Sequence, residues 1–528
     1  MSIAVPWTSV RVRARLFLAR QRIALLMGGG LFLATVILTV STRETYDDPW
    51  ILYRYASNLA SGYGWTFNPG SAEANAVTSP LMVMLLAAQI KVGVTAFVAS
   101  SMIFLVGTWT AAQFAFLTLR SVQKPLAGGI AAALVASSPW LTSLRGMESA
   151  LLLGATGVAL WGATTQRPWI TGLSLGLAVL ARPDSVVLAA CVLIFLTLQR
   201  RSLPSKESAA FACVVLPWLV YSQFLFHSFL PSTLAAKQAQ RDSGQWNGLG
   251  ANFLYTVVLN GHLVELVLTA LIALGGYVAM TYTKPRPLLP LVMASAVTFV
   301  IYEFVLRIAG YPWYAASIVY TALLLMALGL DFVAHRSSRL RVGALAMASA
   351  LVVLGFLNPY QMNAERRDDA TVAKWLRANA EPHSTVATAE IGQLGYLSGL
   401  RMVDYLGLLD SQANSHMERR DWGWWVDSYH PDYWVTRSNH DWAVETQVLT
   451  SKSFQEKYRL VYHTPNLEVY ARTTTSGGAH NQIVLAGRYL TWPLGFQEVL
   501  QVTSLSVERN VVSPSLSQPP PATSDSAI

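Results

Sequence analysis

Apolar runs long enough to cross a bilayer recur along most of this chain, and nothing else in the sequence restricts its fold so tightly. Ile23 to Val40, Ala209 to Phe226, Pro290 to Leu306 and Val342 to Leu357 reach or approach the roughly 17 to 25 residues that span the hydrocarbon core as helix. Inside lipid every backbone polar group must find its partner within the protein, so a bundle of α-helices is expected. Charge is correspondingly scarce: 13% of the 528 residues are charged and 53% are hydrophobic, against about 25% charged in soluble domains.

The basic residues read as topology signals. The net charge of +9 comes largely from residues placed before the first span (Arg11, Arg13, Arg15, Arg20, Arg22) and in short inter-helix loops, where the positive-inside rule puts them. Nucleic acid is excluded as a partner on that ground. Residues 1–22 form a basic cytoplasmic N-terminus, and the run after them is an anchor with no small-residue cleavage site behind it. Following the alternation through the chain gives about eleven spans within residues 23–360, with the C-terminus outside. Leu81 to Ile90 is too short to span and is assigned to the interface, inside an outer loop covering residues 42–95. The basic residues left over on the outer face, Arg43, Arg54, Lys91, Arg145, Arg182, Lys237, Arg241 and Arg307, have no topological reason to be there. They are candidates for binding an anion. The two cysteines, Cys191 and Cys213, lie in apolar runs and define no disulfide framework or metal spacing.

From about Asn363 the composition turns soluble. DATVAKWLRANA has helical spacing, STVATA and RMVDYLGL read as short strands, and YRLVYHTPNLEVYAR as a hairpin. An extracytoplasmic α/β domain is expected over residues 361–510, with a further strand in NQIVLAGRYL, followed by a Pro/Ser/Ala-rich disordered tail over 511–528.

The loop from Tyr46 to Pro80 interrupts this apolar background with an adjacent acidic pair, Asp47 and Asp48. If PWILYRYASNLASG continues as a helix, with Pro49 in its first turn, then Asp47 and Arg54 share a face, as do Asp48 and Tyr55. An arginine so placed would hold a carboxylate ionised and ready to accept a proton. The same pair could instead serve only as a helix cap, and the loop alone does not choose between these readings.

The ordered series YDDPWILYRYASNLASGYGWTFNPG, TSPL, RGMESALL, GLAVLARPDSVVL, LPSTLAAK, GYPWYAASIV and VATAEIGQLGYLSGLRMVDYLGLLD resembles the GT-C superfamily of polytopic glycosyltransferases. Within it the sequence looks most like the terminal arabinofuranosyltransferases of the mycobacterial cell-wall type. The second loop reads GMES where GLET is more usual, and Pro49 and Trp50 stand where a small residue and Tyr are common. The resemblance implies a mainly α membrane protein, a GT-C-like bundle with an outer α/β domain, in a bacterial plasma membrane. It also implies an inverting transferase that takes a sugar, arabinofuranose among the choices, from a polyprenyl-phosphate donor to an envelope glycan or glycolipid. The acidic pair of the first outer loop is then catalytic, here Asp47 and Asp48, with Glu148 as the acid of the second loop.

The residue types suit that chemistry. An acceptor hydroxyl needs a base as its bond forms, and a departing phosphate needs cations, for which Arg182, Lys237 and Arg307 are the candidates. Each could equally contact lipid headgroups. Glu148 would orient the acceptor or pair with Arg145, and Arg182 could form a structural ion pair with Asp184 across Pro183. Trp65, Trp313, Tyr314 and the cluster Trp422, Trp424 and Trp425 are candidate sugar contacts, with membrane-interface or core packing as the alternative for each. No cofactor is required; a divalent ion, Mg²⁺ or Mn²⁺, would find its ligands in Asp47, Asp48 and the donor phosphate. A flippase for lipid-linked sugars is the competing class, with Arg182–Asp184 and Glu303–Arg307 as intramembrane charge pairs. A membrane-anchored glycan-binding protein is a third.

Overall fold

The computed structural model describes residues 26–42, 46–71, 73–229, 231–244, 263–283, 286–307, 311–357 and 364–473. The basic N-terminus, Arg43, the NQIVLAGRYL segment and the tail lie outside the described residues. Helices α1 (Leu26–Ser41), α2 (Asp48–Ala60), α3 (Pro80–Lys91), α4 (Ala96–Ser121), α5 (Pro125–Ser143), α6 (Ser149–Thr164), α7 (Pro168–Ala181) and α8 (Pro183–Arg200) make the first half. There follow α9 (Ser205–Phe226), α10 (Thr233–Asp242), α11 (Leu263–Thr281), α12 (Leu289–Leu306), α13 (Pro312–Ala334) and α14 (Ser338–Leu357).

Among the described residues, seven of these helices are long and apolar enough to cross a membrane; the protein is membrane-embedded. Every expected span overlaps a helix among the described residues. Four of them, α1, α6, α7 and α11, have shorter apolar stretches among the described residues. Proline opens several helices at the first turn, where no backbone donor is wanted: Pro80 in α3, Pro125 in α5, Pro168 in α7 and, as expected, Pro49 in α2. Small residues set the closest crossings. A Cβ on Gly107 of α4 would sit 2.6 Å from the Ala150 carbonyl oxygen of α6, the close backbone approach on which helix association in lipid depends.

The C-terminal domain, called the outer domain, like the outer loop, after the side of the membrane on which the sequence places it, begins with α15 (Ala364–Asn379) and contains α16 (Ile391–Ser398) and five strands: β1 (Thr385–Thr388), β2 (Arg401–Asp404), β3 (Tyr433–Arg437), β4 (Tyr458–His463) and β5 (Leu467–Arg472). The sheet order is β2-β1-β3-β5-β4, with β1 parallel to β2 and β3, and the β4–β5 hairpin antiparallel. β3 occupies the centre, and its Trp434 is fully buried. One apolar core joins the outer loop to this domain: Tyr53, Tyr55 and Phe67 pack with Val372, Ile391, Leu394 and Met402. The loop carrying the acidic pair is therefore folded against the sheet as well as attached to the membrane helices.

Candidate active site

Asp47 and Asp48 adjoin in sequence but face different surroundings. Asp47 is buried, and its carboxylate accepts backbone hydrogen bonds from Gly392 N (2.7 Å) and Gln393 N (2.7 Å). These are the second and third residues of α16, whose own N-cap, Glu390, makes no side-chain cap bond. Asp47 thus caps a helix of the outer domain in trans, taking the orphan donors that a local N-cap would take and placing negative charge at the positive end of the helix. Two glycines permit the approach. A Cβ on Gly392 would lie 2.6 Å from Asp47 Oδ2, and one on Gly395 2.9 Å from the Arg54 guanidinium.

The expected pairing of Arg54 with Asp47 is not what forms. Buried Arg54 donates to the carbonyls of Phe67 (2.7 Å), Leu400 (2.7 Å) and Gly395, and to Asn68 Oδ1 (3.3 Å). Asp47 is the N-cap of α2, but its carboxylate is taken by the backbone of α16, and the outer domain offers the guanidinium a set of fixed acceptors. Arg54 is a brace between loop and domain. Arg145 has a similar part: it donates to the Thr39 carbonyl (2.6 Å), the Thr42 carbonyl and Ser101 Oγ (2.6 Å), fastening the end of α1 to α4.

Asp48, half-buried at the start of α2, instead lines a cavity of about 60 Å³ shared with Glu148, Arg182, Lys237, Trp313 and Tyr314. Separate stretches of chain supply these groups: Glu148 precedes α6, Arg182 joins α7 to α8, Lys237 is on α10, and Trp313 and Tyr314 open α13. Arg182 donates to Glu148 Oε1 (2.8 Å) and to Asp184 Oδ2 (2.8 Å), with Tyr302 bonded to Asp184 behind it and the Tyr314 ring 5.0 Å from its guanidinium carbon. Glu148 therefore pairs with Arg182. The expected Arg182–Asp184 pair also forms, and the same arginine faces the cavity. Burial pushes the Glu148 carboxyl above its ordinary range, against the pull of Arg182, and the Asp48 charge adds to the rise. At Lys237 burial works to neutralise the ammonium, but Tyr311, Tyr314 and Asp48 hold it above the usual lysine value. Its Nζ lies 4.2 Å from the Tyr311 ring centroid, and Tyr311 stacks on Trp313 at 4.7 Å.

Other candidates lie elsewhere. Arg307 is exposed and is not among the residues lining the Asp48 cavity. Trp65 packs against Trp218 and Phe226 in the core under the loop. Trp422, Trp424 and Trp425 belong to the core of the outer domain, with Trp425 stacked on Tyr405, so packing takes the rings assigned to sugar. The sequence reading missed Tyr311, Thr233 and Leu408 around the cavity; only the GYPWY and PSTL segments could have drawn attention to the first two. Among the described residues, no group of three or more His, Cys, Asp or Glu side chains could hold a metal ion. Asp48 and Glu148 line the Asp48 cavity together, whereas Asp47 has both oxygens engaged by α16. Another cavity, of about 1260 Å³, is an apolar groove by Phe116, Ile130, Trp161 and Val352, with no carboxylate among the described residues that line it.

Solved structures share this fold. ArnT from Cupriavidus metallidurans, bound to undecaprenyl phosphate, superposes with a TM-score of 0.58 at 14% identity, over 88% of this chain and 99% of that one. An oligosaccharyltransferase from Archaeoglobus fulgidus, in complex with Zn and sulfate, matches with a TM-score of 0.54 at 16% identity, over 84% and 73%. The arabinofuranosyltransferase AftD from Mycobacteria matches at 0.52 and 13%, over 85% of this chain and 41% of that one. The chain has the fold of the GT-C glycosyltransferases. Residues 358–484 match a family model described as a domain of unknown function, DUF8728. No curated protein sequence matches the chain.

Proposed function

We propose that the protein is an inverting glycosyltransferase that moves a sugar from a polyprenyl-phosphate donor to an acceptor outside the cytoplasmic membrane. The observation that carries this is the meeting of a half-buried carboxylate, Asp48, with two cations, Arg182 and Lys237, and an aromatic wall in one cavity. The solved relatives with bound undecaprenyl phosphate and dolichol phosphate support the donor class. The likeness to AftD makes arabinofuranose one of the sugars to test, with an envelope glycan or glycolipid as acceptor.

In this reading Asp48 accepts the proton of the acceptor hydroxyl as its oxygen bonds to the anomeric carbon. The bond from that carbon to the phosphate oxygen breaks, its electron pair leaves with the polyprenyl phosphate, and the configuration inverts. Lys237 and Arg182 stabilise the departing charge. Arg182 is already balanced by Glu148 and Asp184, so Lys237 supplies most of the uncompensated positive charge. A divalent ion would take Asp48 and Glu148 as its carboxylate ligands and would supply charge neutralisation for the departing phosphate. The cavity is smaller than the roughly 300 Å³ at which ligand sites begin, so its lining must move apart to admit a donor. Asp47 holds the loop to the outer domain and sets the position of Asp48.

Purified protein given a polyprenyl-phosphate sugar and an envelope glycan in detergent tests the proposal. Covalent transfer is the expected result, and its absence with every donor and acceptor tried would favour a flippase. The pair Glu303–Arg307, which would mark a translocation path, forms no ion pair among the described residues.

A further inference from the structure

A second cavity, of about 170 Å³, lies between the outer loop and the outer domain, lined by Tyr55, Asn68, Ser71, Arg401, Asp404, Asp410 and Tyr429. It is separated from the Asp48 cavity by two short stretches of chain. Ala74 and Leu409 face the second cavity, while their near neighbours Ala76 and Leu408 face the first. Ser232, at the start of α10, fastens these stretches together: its N–H donates to the Asn75 carbonyl (2.9 Å), and its hydroxyl lies 3.1 Å from the same oxygen and 3.0 Å from the Leu408 carbonyl. The helix that presents Lys237 to one cavity thus begins at the partition with the other.

The lining of this second cavity has the chemistry of a sugar subsite. The Tyr429 ring is 40% exposed, braced edge-on by Trp424 at 5.3 Å, and its hydroxyl donates to Asp410. An exposed ring beside a carboxylate offers a stacking face and hydroxyl acceptors together. Ser71 Oγ is buried with no hydrogen-bond partner, a vacancy that a ligand hydroxyl would fill. Asp404 accepts from Leu406 N (2.8 Å) and Leu409 N (2.8 Å), and so fixes the turn that forms the partition. The charged lining residues are Asp404, Asp410 and Arg401, an excess of acid that disfavours phosphate, sulfate or uronate.

We infer that this cavity binds a neutral sugar unit of the acceptor next to the one that reacts, so that the protein acts on an oligosaccharide chain. The inference rests on the glycosyltransferase reading above but can fail separately from it, because binding is measured without donor or turnover. Full-length protein in detergent is titrated calorimetrically with arabinotetraose, mannotetraose and, as the anionic control, tetragalacturonic acid. At least one neutral tetrasaccharide is expected to bind. Tyr429→Ala and Asp410→Asn should each weaken it about tenfold or more, the loss of one good contact. Tyr429→Phe, which keeps the ring, should stay within about threefold of wild type; unchanged thermal unfolding of all three variants shows that the fold is intact. The inference is overturned if neither neutral tetrasaccharide binds, if tetragalacturonic acid binds more tightly than both, or if Tyr429→Ala binds like wild type. Absence of transfer by a protein that still binds in this pattern would sink the catalytic reading and leave the subsite standing.

Discussion

Replacing Asp47 by asparagine separates a structural acid from a chemical one. The carboxylate takes the backbone N–H groups of Gly392 and Gln393 at 2.7 Å each, and hydrogen bonds to a charged group contribute about 1.5 to 3 kcal/mol apiece. An asparagine in the same pose keeps one acceptor oxygen but turns its amide N–H₂ toward the other donor. One buried N–H is then left without a partner, at a cost of about 1 to 3 kcal/mol, and the favourable charge at the α16 N-terminus, worth up to about 2 kcal/mol, is lost. The docking of α16 on the outer loop should therefore weaken by roughly 1 to 5 kcal/mol, against the 5 to 15 kcal/mol that a folded domain typically has. Hydrogen exchange resolved at Gly392 and Gln393 reads this directly, and both amides should exchange at least tenfold faster in the variant. Exchange as slow as in wild type would refute the claim that Asp47 is the tie between loop and domain.

Three further outcomes follow from the same geometry. Gly392→Ala puts a Cβ 2.6 Å from Asp47 Oδ2, so it should reproduce the faster exchange of Asp47→Asn without touching a charge; a silent substitution would contradict the packing described. Lys237→Met should raise the KM for the polyprenyl-phosphate donor at least tenfold while leaving acceptor KM within about twofold, because the ammonium is assigned to the phosphate. The pH dependence of Glu148→Gln has a definite sign. Burial raises the Glu148 pKa in the folded state, so folding disfavours its charged form relative to the unfolded chain. Its contribution to stability is full below the unfolded carboxylate value and falls as pH rises through the raised folded one. The Tm of the Gln variant minus that of wild type should therefore grow more positive as pH rises over that window; a flat or falling difference would show that Glu148 is not held in this way.

Much of this architecture was legible in the residues, because lipid leaves a helix few alternatives: each long apolar run became a helix, and each helix-opening proline fell where its missing donor costs nothing. The basic residues that topology left over were a productive signal, since Arg182 and Lys237 do reach the Asp48 cavity. The same filter also picked Arg54, Arg145 and Arg307. The first two satisfy backbone carbonyls, a need created by tertiary contacts that no local pattern announces. The ordering of the two aspartates was illegible for a related reason. Helical spacing paired Asp47 with Arg54, but the decisive partners of Asp47 lie in α16, more than three hundred residues along the chain. Strand β3 went unremarked because YWVTR is short and follows a Pro-Asp turn, and its neighbours in the sheet are distant in sequence. The tryptophans of WGWW looked like a sugar platform until the sheet closed over them.

In the proposed mechanism Asp48, not Asp47, removes the acceptor proton. The most direct test compares single-turnover transfer by wild type and Asp48→Asn, with donor affinity and Gly392 exchange measured on the same preparations. The account predicts that Asp48→Asn loses at least a hundredfold in rate, in the range expected for removal of a general base, while donor binding and exchange stay as in wild type. Transfer by Asp48→Asn at a rate near that of wild type would contradict it.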